Sequence, residues 1–415
     1  MATLKVLLAC YWPLPHLGGV WPYMLQLKQQ LEYRGHTVDI FGNGPDIPKY
    51  HMVNQNRGLL KDHILPFLKV KLNNRSYPGI NSNSWLHTVE LDRYCMELSA
   101  AYFGLDSYDV IHSQDVISTL AMSRVKGKHT GLVASIHGSL AREVLYAVEK
   151  DNLEGSVRAK ISRYYRTLEH YGAVSSDITI TSTEWMRNLL IQDFQVPAEQ
   201  VVSFPYGLDT DTFYQIQALG TERTRPPGKK VIICPARLVS IKGINFLIDA
   251  LARLKRVRSD WVCWIVGDGD LRKPLQEQAK ALGLTQDVLF LGQRKDVPAL
   301  LTQADIFAHP SLQDNQPFSV MEAQLAGLPC VVSNAGGLPE AVLHNVNGLV
   351  SPVGDVATLS DHLHFLLAND ESRQRLGQHA AEWAKEHWSL ATMTDRMVQQ
   401  YEAAWNKAVW RMSHA

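Results

Sequence analysis

Residues 305–334, DIFAHPSLQDNQPFSVMEAQLAGLPCVVSN, read as one complete strand–helix–strand unit. "DIFAHP" is a short apolar run ending in proline, and "CVVSN" is a β-branched run of the same kind. Between them "VMEAQLA" has a helical pattern that closes at Gly327, a residue suited to ending a helix. Ser319 and Glu322 have the S-x-x-E spacing of a capping box, so Ser319 is the expected N-cap and Glu322 has a structural task at the helix start. Asp314 is left without one. Because the loop leaves the carboxyl end of a strand, the amides of Asn315, Gln316, Phe318 and Ser319 are expected to open toward a crevice.

The same rhythm extends outward. "KVIICPAR", "WVCWIVG" and "VLFLG" precede the unit, and "VDIFG", "YDVIHS", "GLVASIHG", "DITITS" and "VVSFPYG" form an earlier set. Strands apolar on both faces and joined by helices belong to parallel sheets covered on both sides, so the class is α/β. At 415 residues, with roughly 100–200 per domain, two domains are expected. The polar, aperiodic segment 214–230 contains Pro226 and Pro227 and is the expected linker between domains at 1–213 and 231–392. Residues 393–415 have a strong helical pattern and are expected to pack back onto the first domain. Residues 45–90 fit the rhythm poorly and suggest an insertion. Within them "LKVKL" (68–72) alternates lysine with apolar side chains as an edge strand does, Pro66 opposing a helix there; a basic membrane-surface segment is the second reading.

Lys plus Arg number 41 and Asp plus Glu 41, so no net basic field points to nucleic acid. The five cysteines lie in apolar runs or alone, without metal-ligand spacing, and read as reduced core residues of a cytoplasmic protein. The opening "MATLKVLLACYWPLP" reads as a first strand, and no run reaches the roughly 18 apolar residues of a membrane span.

Several residues suit chemistry. Gly18 and Gly19 follow the first strand and precede a helix whose amides attract an anion, although a plain strand-to-helix bend explains them equally well. Arg237 and Lys242 lie beside another helix start at the end of a strand, where two fixed cations and the helix dipole together suit a diphosphate. His137 ends the strand "ASIH"; structural and functional readings are balanced there. Asp268 with Asp270, and Asp209 with Asp211, imitate a metal-binding DxD, but both pairs sit at strand-to-turn junctions where Asp bonds its own backbone. No metal site is expected.

Taken together, "PARLVSIKG", "IVGDGDLRKPL", "FLGQRKDV" and "HPSLQDNQPFSVMEAQLAGLPCVVSNAGGLPE" resemble, in order and spacing, family 4 of the retaining glycosyltransferases, which have the GT-B fold of two Rossmann-like domains. "GGV", "IHG" and "FPYGLDTDTF" extend the resemblance into the first half. It implies a nucleoside diphosphate sugar on the second domain, a carbohydrate or glycolipid acceptor on the first, and no cofactor or protein partner. Arg237 and Lys242 would grip the diphosphate, Glu322 the ribose and His137 the transferred sugar, while the Asp314 carboxylate would accept a hydrogen bond from a hydroxyl of the donor sugar as a further catalytic group. Gly18 and Gly19 would approach the diphosphate, while Gly267, the backbone near Arg294 and the loop Asn315–Ser319 would complete the pocket.

Three positions depart from the family pattern. Asp314 replaces the first of two glutamates, Asn315-Gln316-Pro317 replaces Gly-Phe-Gly, and Tyr206-Gly207-Leu208-Asp209 replaces Asn-Gly-Val-Asp. Pro317 offers no amide. The expectation is a cytoplasmic, metal-independent, retaining hexosyltransferase, with UDP as the first nucleotide and GDP the second, touching the inner membrane face through its first domain. A sugar nucleotide epimerase or hydrolase would need an additional carboxylate cluster. A silent assembly protein would be expected to have lost the phosphate cations.

Overall fold

The strands form because runs such as Ile232–Cys234 and Trp261–Ile265 are apolar on both faces, and both faces are buried. The computed structural model describes residues 3–15, 18–46, 48–55, 57–73, 75, 83–150 and 153–414, apart from the side chains of 149 and 150. The chain divides into two units, residues 1–204 with 391–415, and residues 205–390.

The first unit contains β1 (Lys5–Pro13), β2 (Thr37–Asn43), β3 (Lys49–Met52), β4 (Arg57–Leu60), β5 (Val110–Ser113), β6 (Gly131–Ser135), β7 (Ile178–Thr181) and β8 (Val201–Ser203), in the order β4-β3-β2-β1-β5-β6-β7-β8. All pairs are parallel except β2–β3 and β3–β4. The second unit contains β9 (Lys230–Pro235), β10 (Trp261–Val266), β11 (Val288–Gly292), β12 (Ile306–His309), β13 (Cys330–Ser333) and β14 (Gly348–Ser351), in the order β11-β10-β9-β12-β13-β14 and wholly parallel. The strand order of each sheet reverses once, between β1 and β5 in one and between β9 and β12 in the other. Open α/β sheets bind ligands at the carboxyl ends of such strands.

Three boundary expectations change. The units part between Phe204 and Pro205 and not within 214–230. The first six residues of the expected linker, 214–219, belong to the helix Thr210–Leu219, which starts because Asp209 caps Thr212 through its backbone N–H at 3.0 Å and its hydroxyl at 2.7 Å. "LKVKL" is no edge strand: Leu65–Lys71 is a helix with Pro66 in its first turn, where a missing N–H costs little. Leu68 and Leu72 are buried there, while Phe67 and Val70 are 72% and 71% exposed. The edge of the sheet is formed by β4 instead. The remainder of the expected insertion lies partly outside the described residues.

From Ala391 onward the last helix, Leu390–Ser413, belongs to the first unit. Its Tyr401 hydroxyl lies 2.7 Å from His112 Nδ1, and His112 Nε2 lies 2.7 Å from Ser135 Oγ. A Cβ on Gly131 would come within 2.7 Å of the Ala404 and Trp405 backbone, so the helix seats on β6 only over glycine. All five cysteines are free and buried. Among the described residues, no helix is long and apolar enough to cross a membrane.

Candidate active site

In the second unit, the loops leaving β9, β10, β12 and β13 are knitted together by their backbones. Leu238 N–H donates to Asp268 O, Leu312 N–H to Ile241 O and Gly337 N–H to Asp314 O, at 2.8–2.9 Å. Two glycines make this closeness feasible. A Cβ on Gly243, whose φ is +63°, would fall 2.2 Å from Pro310 O, and one on Gly336, φ +59°, would fall 1.9 Å from Asp314 O.

Two cations stand on this rim. Arg237 is exposed and has no side-chain partner among the described residues. Lys242 ends the turn Ser240–Lys242 just ahead of the helix Ile244–Lys255 and pairs with Asp314 Oδ2 at 2.5 Å. The same oxygen lies 2.7 Å from His309 Nε2 and 3.2 Å from Ser311 Oγ, while Oδ1 accepts the Asn315 amide at 3.1 Å. Burial opposes ionisation of Asp314, yet the Lys242 ammonium and the His309 hydrogen bond outweigh it and hold the carboxyl well below its usual range. Both the Asp314 carboxylate and the Asn315 amide are thus engaged within the protein, not open to the crevice as expected.

The expected capping box does not form. The helix Phe318–Leu325 starts two residues early, with Pro317 at its N-cap and no side-chain cap, so Ser319 already lies inside the first turn. The amides of Phe318 and Ser319 have no acceptor among the described residues. Glu322, half-buried, has no hydrogen-bond or ion-pair partner there either, and burial pushes its carboxyl up to about 7. Gln316 is turned away from a ligand role: its Oε1 accepts the Tyr206 amide at 2.8 Å. Gly267 begins the loop after β10, with its N–H on Gly292 O at 2.8 Å. Arg294 is held by Asp296 in a two-point pair of 2.8 and 2.6 Å, which leaves only its backbone for recognition.

One aspartate of each DxD look-alike is engaged locally. Asp268 accepts the Gly269 amide at 2.9 Å and pairs with Arg272 at 2.7 Å, while Asp209 is the cap described above. Among the described residues, no group of three or more His, Cys, Asp or Glu is placed to hold a metal ion.

In the first unit, Gly18 and Gly19 follow β1, and Gly19 is the N-cap of Val20–Tyr33 without a side-chain cap bond. His137 follows β6. Its Nε2 lies 3.0 Å from Gln114 Oε1, and its ring meets Tyr23 edge-on with centroids 5.0 Å apart. Asp115 accepts the Tyr11 and Ser118 amides at 2.8 and 2.7 Å, tying the ends of β1 and β5 together. Gln114 and His309 both escape the sequence reading. Each is a polar residue at the end of a buried strand, "HSQD" and "FAHP", which is the one signal available.

With that geometry described, resemblance to known proteins becomes informative. The family description "Glycosyltransferase Family 4" matches residues 17–212, and "Glycosyl transferases group 1" matches residues 218–383. The chain belongs to the family 4 glycosyltransferases of GT-B fold.

The glycosyltransferase is 28% identical over 396 residues to D-inositol 3-phosphate glycosyltransferase of Corynebacterium jeikeium, covering 90% of this chain and 89% of that one. It is 31% identical over 215 residues to a GDP-mannose-dependent alpha-(1-6)-phosphatidylinositol monomannoside mannosyltransferase of Mycolicibacterium smegmatis, covering 49% and 56%. Among solved structures it matches Anabaena HepE in complex with UDP-glucose, with TM-score 0.66, 19% identity, and 96% and 100% of the two chains covered. Its activity is transfer of a glycosyl group from a nucleotide sugar to a bound acceptor.

Proposed function

We propose that this glycosyltransferase moves a hexose from a UDP-sugar to an acceptor hydroxyl with retention of anomeric configuration and without a divalent ion. One observation carries the proposal: Arg237 and Lys242 follow β9, and Lys242 pairs with Asp314 in the loop after β12, just ahead of a helix that opens on free amides and bears Glu322, a carboxylate without a partner among the described residues. The cations and amides suit a diphosphate, and Glu322 suits the ribose diol. As the sugar–phosphate bond breaks, negative charge grows on the leaving oxygens, and preorganised cations stabilise the transition state more than the bound donor. The diphosphate thus neutralised accepts the proton of the incoming hydroxyl on the face it leaves, so no side-chain nucleophile is required. Because side chains supply the positive charge, and Asp268 and Asp209 are engaged with their own neighbours, donor binding is assigned no metal.

His137, backed by Gln114, is assigned to the transferred sugar, and Gly18 and Gly19 to close approach of the donor. The reaction needs no cofactor beyond the donor. A GDP-sugar is the second reading, favoured by the 31% identity to the GDP-mannose-dependent relative. The acceptor is assigned as a carbohydrate or glycolipid of glycoconjugate synthesis. The exposed Phe67 and Val70, flanked by Lys69 and Lys71, suit an anionic membrane surface. The five free cysteines suit the cytoplasm.

A panel of UDP- and GDP-sugars screened by thermal shift identifies the donor, since ligand at one hundred times its dissociation constant adds about 2.7 kcal/mol. Proton NMR of the first-formed product then reads its anomeric configuration. An inverted product, or UDP binding that EDTA abolishes and Mg²⁺ restores, rejects the mechanism.

A further inference from the structure

Lys242, assigned above to the diphosphate, is already in use. Its ammonium is the counter-ion of Asp314, a carboxylate whose residue side chain is only 13% exposed. A donor that recruits Lys242 leaves that anion with only neutral hydrogen-bond donors: His309 Nε2, Ser311 Oγ and the Asn315 amide. A buried carboxylate stripped of its cation is costly, and taking up a proton is the ordinary escape. A proton acceptor stands beside it. His309 is buried, its Nδ1 has no hydrogen-bond partner among the described residues, and its ring is stacked on Phe307 with centroids 6.0 Å apart. The titratable and charged groups facing the pair are Lys242 from the turn after β9 and Asp314 and His309 themselves; Ser311 adds a neutral hydroxyl.

We propose that Asp314 and His309 form a proton-accepting counter-ion site for Lys242: when the donor diphosphate takes the ammonium over, the pair takes up a proton from solvent in its place. His309 is then a positioning residue, acting on the donor through Asp314 and Lys242. The proposal rests on the assignment of Lys242 to the diphosphate, and it makes donor binding tighten as pH falls. Burial and Lys242 both lower the proton affinity of His309 before the donor arrives, and Lys242 does the same for Asp314, so loss of the ammonium raises the affinity of the pair.

The test is calorimetric titration of UDP-glucose, whose diphosphate diester does not titrate near neutrality, into the full chain at pH 7 in two buffers of different ionisation enthalpy. The expected result is net uptake of a substantial fraction of a proton per donor bound. Asp314→Asn should abolish the uptake and bind donor several-fold more tightly, because the diphosphate no longer competes for Lys242. Equal enthalpies in both buffers, with Lys242→Ala still weakening binding, overturn the exchange and spare the diphosphate assignment. Unchanged affinity in Lys242→Ala overturns both.

Discussion

The two sheets reverse their strand order by the same rule and arm the reversal differently. In the first unit, β1, β5 and β6 end on glycines and on Gln114 and His137, which are joined to each other and, through the His137 ring, to Tyr23. In the second, β9 and β12 end on Arg237, Lys242, His309 and Asp314, a charged set held in a fixed pattern. Topology supplies two crevices, and side-chain charge decides what each can hold. On the proposed mechanism the charged crevice holds the leaving diphosphate, and the neutral one holds groups whose charge does not change.

The strongest way to break the contrast is Arg237→Ala. The residue is exposed, so melting should be unchanged, while turnover should fall about 100-fold or more, as loss of a preorganised charge contact implies. Normal turnover in a well-folded variant would remove the charged crevice from the chemistry.

Next comes Gly131→Ala, which attacks the neutral unit alone. Its new Cβ meets helix backbone at 2.7 Å, so stability should fall by about 1–3 kcal/mol. UDP affinity at a temperature where the variant is folded should stay at the wild-type value. A parallel loss of UDP affinity would show that the donor crevice depends on the first unit.

Glu322→Gln sharpens the charged side. UDP affinity should weaken about tenfold, as expected for one hydrogen bond to a charged group. The carboxyl titrates at about 7 in place of the ordinary 4.5, so its contribution to stability is full below 4.5 and is lost as pH rises toward 7. The variant should therefore melt above the wild type at pH 8 and match it near pH 4. Identical melting curves at both pH values would place the carboxylate in bulk solvent.

Smallest of all, Phe67→Ser with Val70→Ser should shift stability by less than about 0.5 kcal/mol, since both side chains are exposed. Binding to vesicles containing anionic lipid should nevertheless drop, as read by co-sedimentation, with activity on a soluble acceptor retained. Undiminished sedimentation would clear the helix Leu65–Lys71 of a membrane role.

Much of this was legible in the sequence, and for a physical reason. Runs such as "VIIC" and "WVCWIV" are apolar on both faces, and few structures other than a covered parallel sheet use them. Short amphipathic pieces carry less information. "LKVKL" alternates for five residues, which serves a helix of seven as well as a strand, and Pro66 is harmless in a first turn. The segment beginning at Tyr214 looked like a linker because the cap that starts its helix, Asp209, lies upstream in what reads as a turn. In the opening stretch the S-x-x-E spacing is real, but Pro317 brings the chain into the helix early and leaves Glu322 without a capping task. Asp314 was marked by its position, yet its pairing with Lys242 spans 72 residues and appears only once β9 and β12 lie side by side.

The path of the chain also sets an order of events during synthesis. Residues 205–390 form one uninterrupted segment, so the second unit has all its own strands once that segment has left the ribosome. The first unit, although translated earlier, lacks the helix that carries Tyr401 until residues 391–413 emerge. Until then His112 and the glycine seat on β6 face an unfilled surface, and the nascent first unit is the one in need of protection.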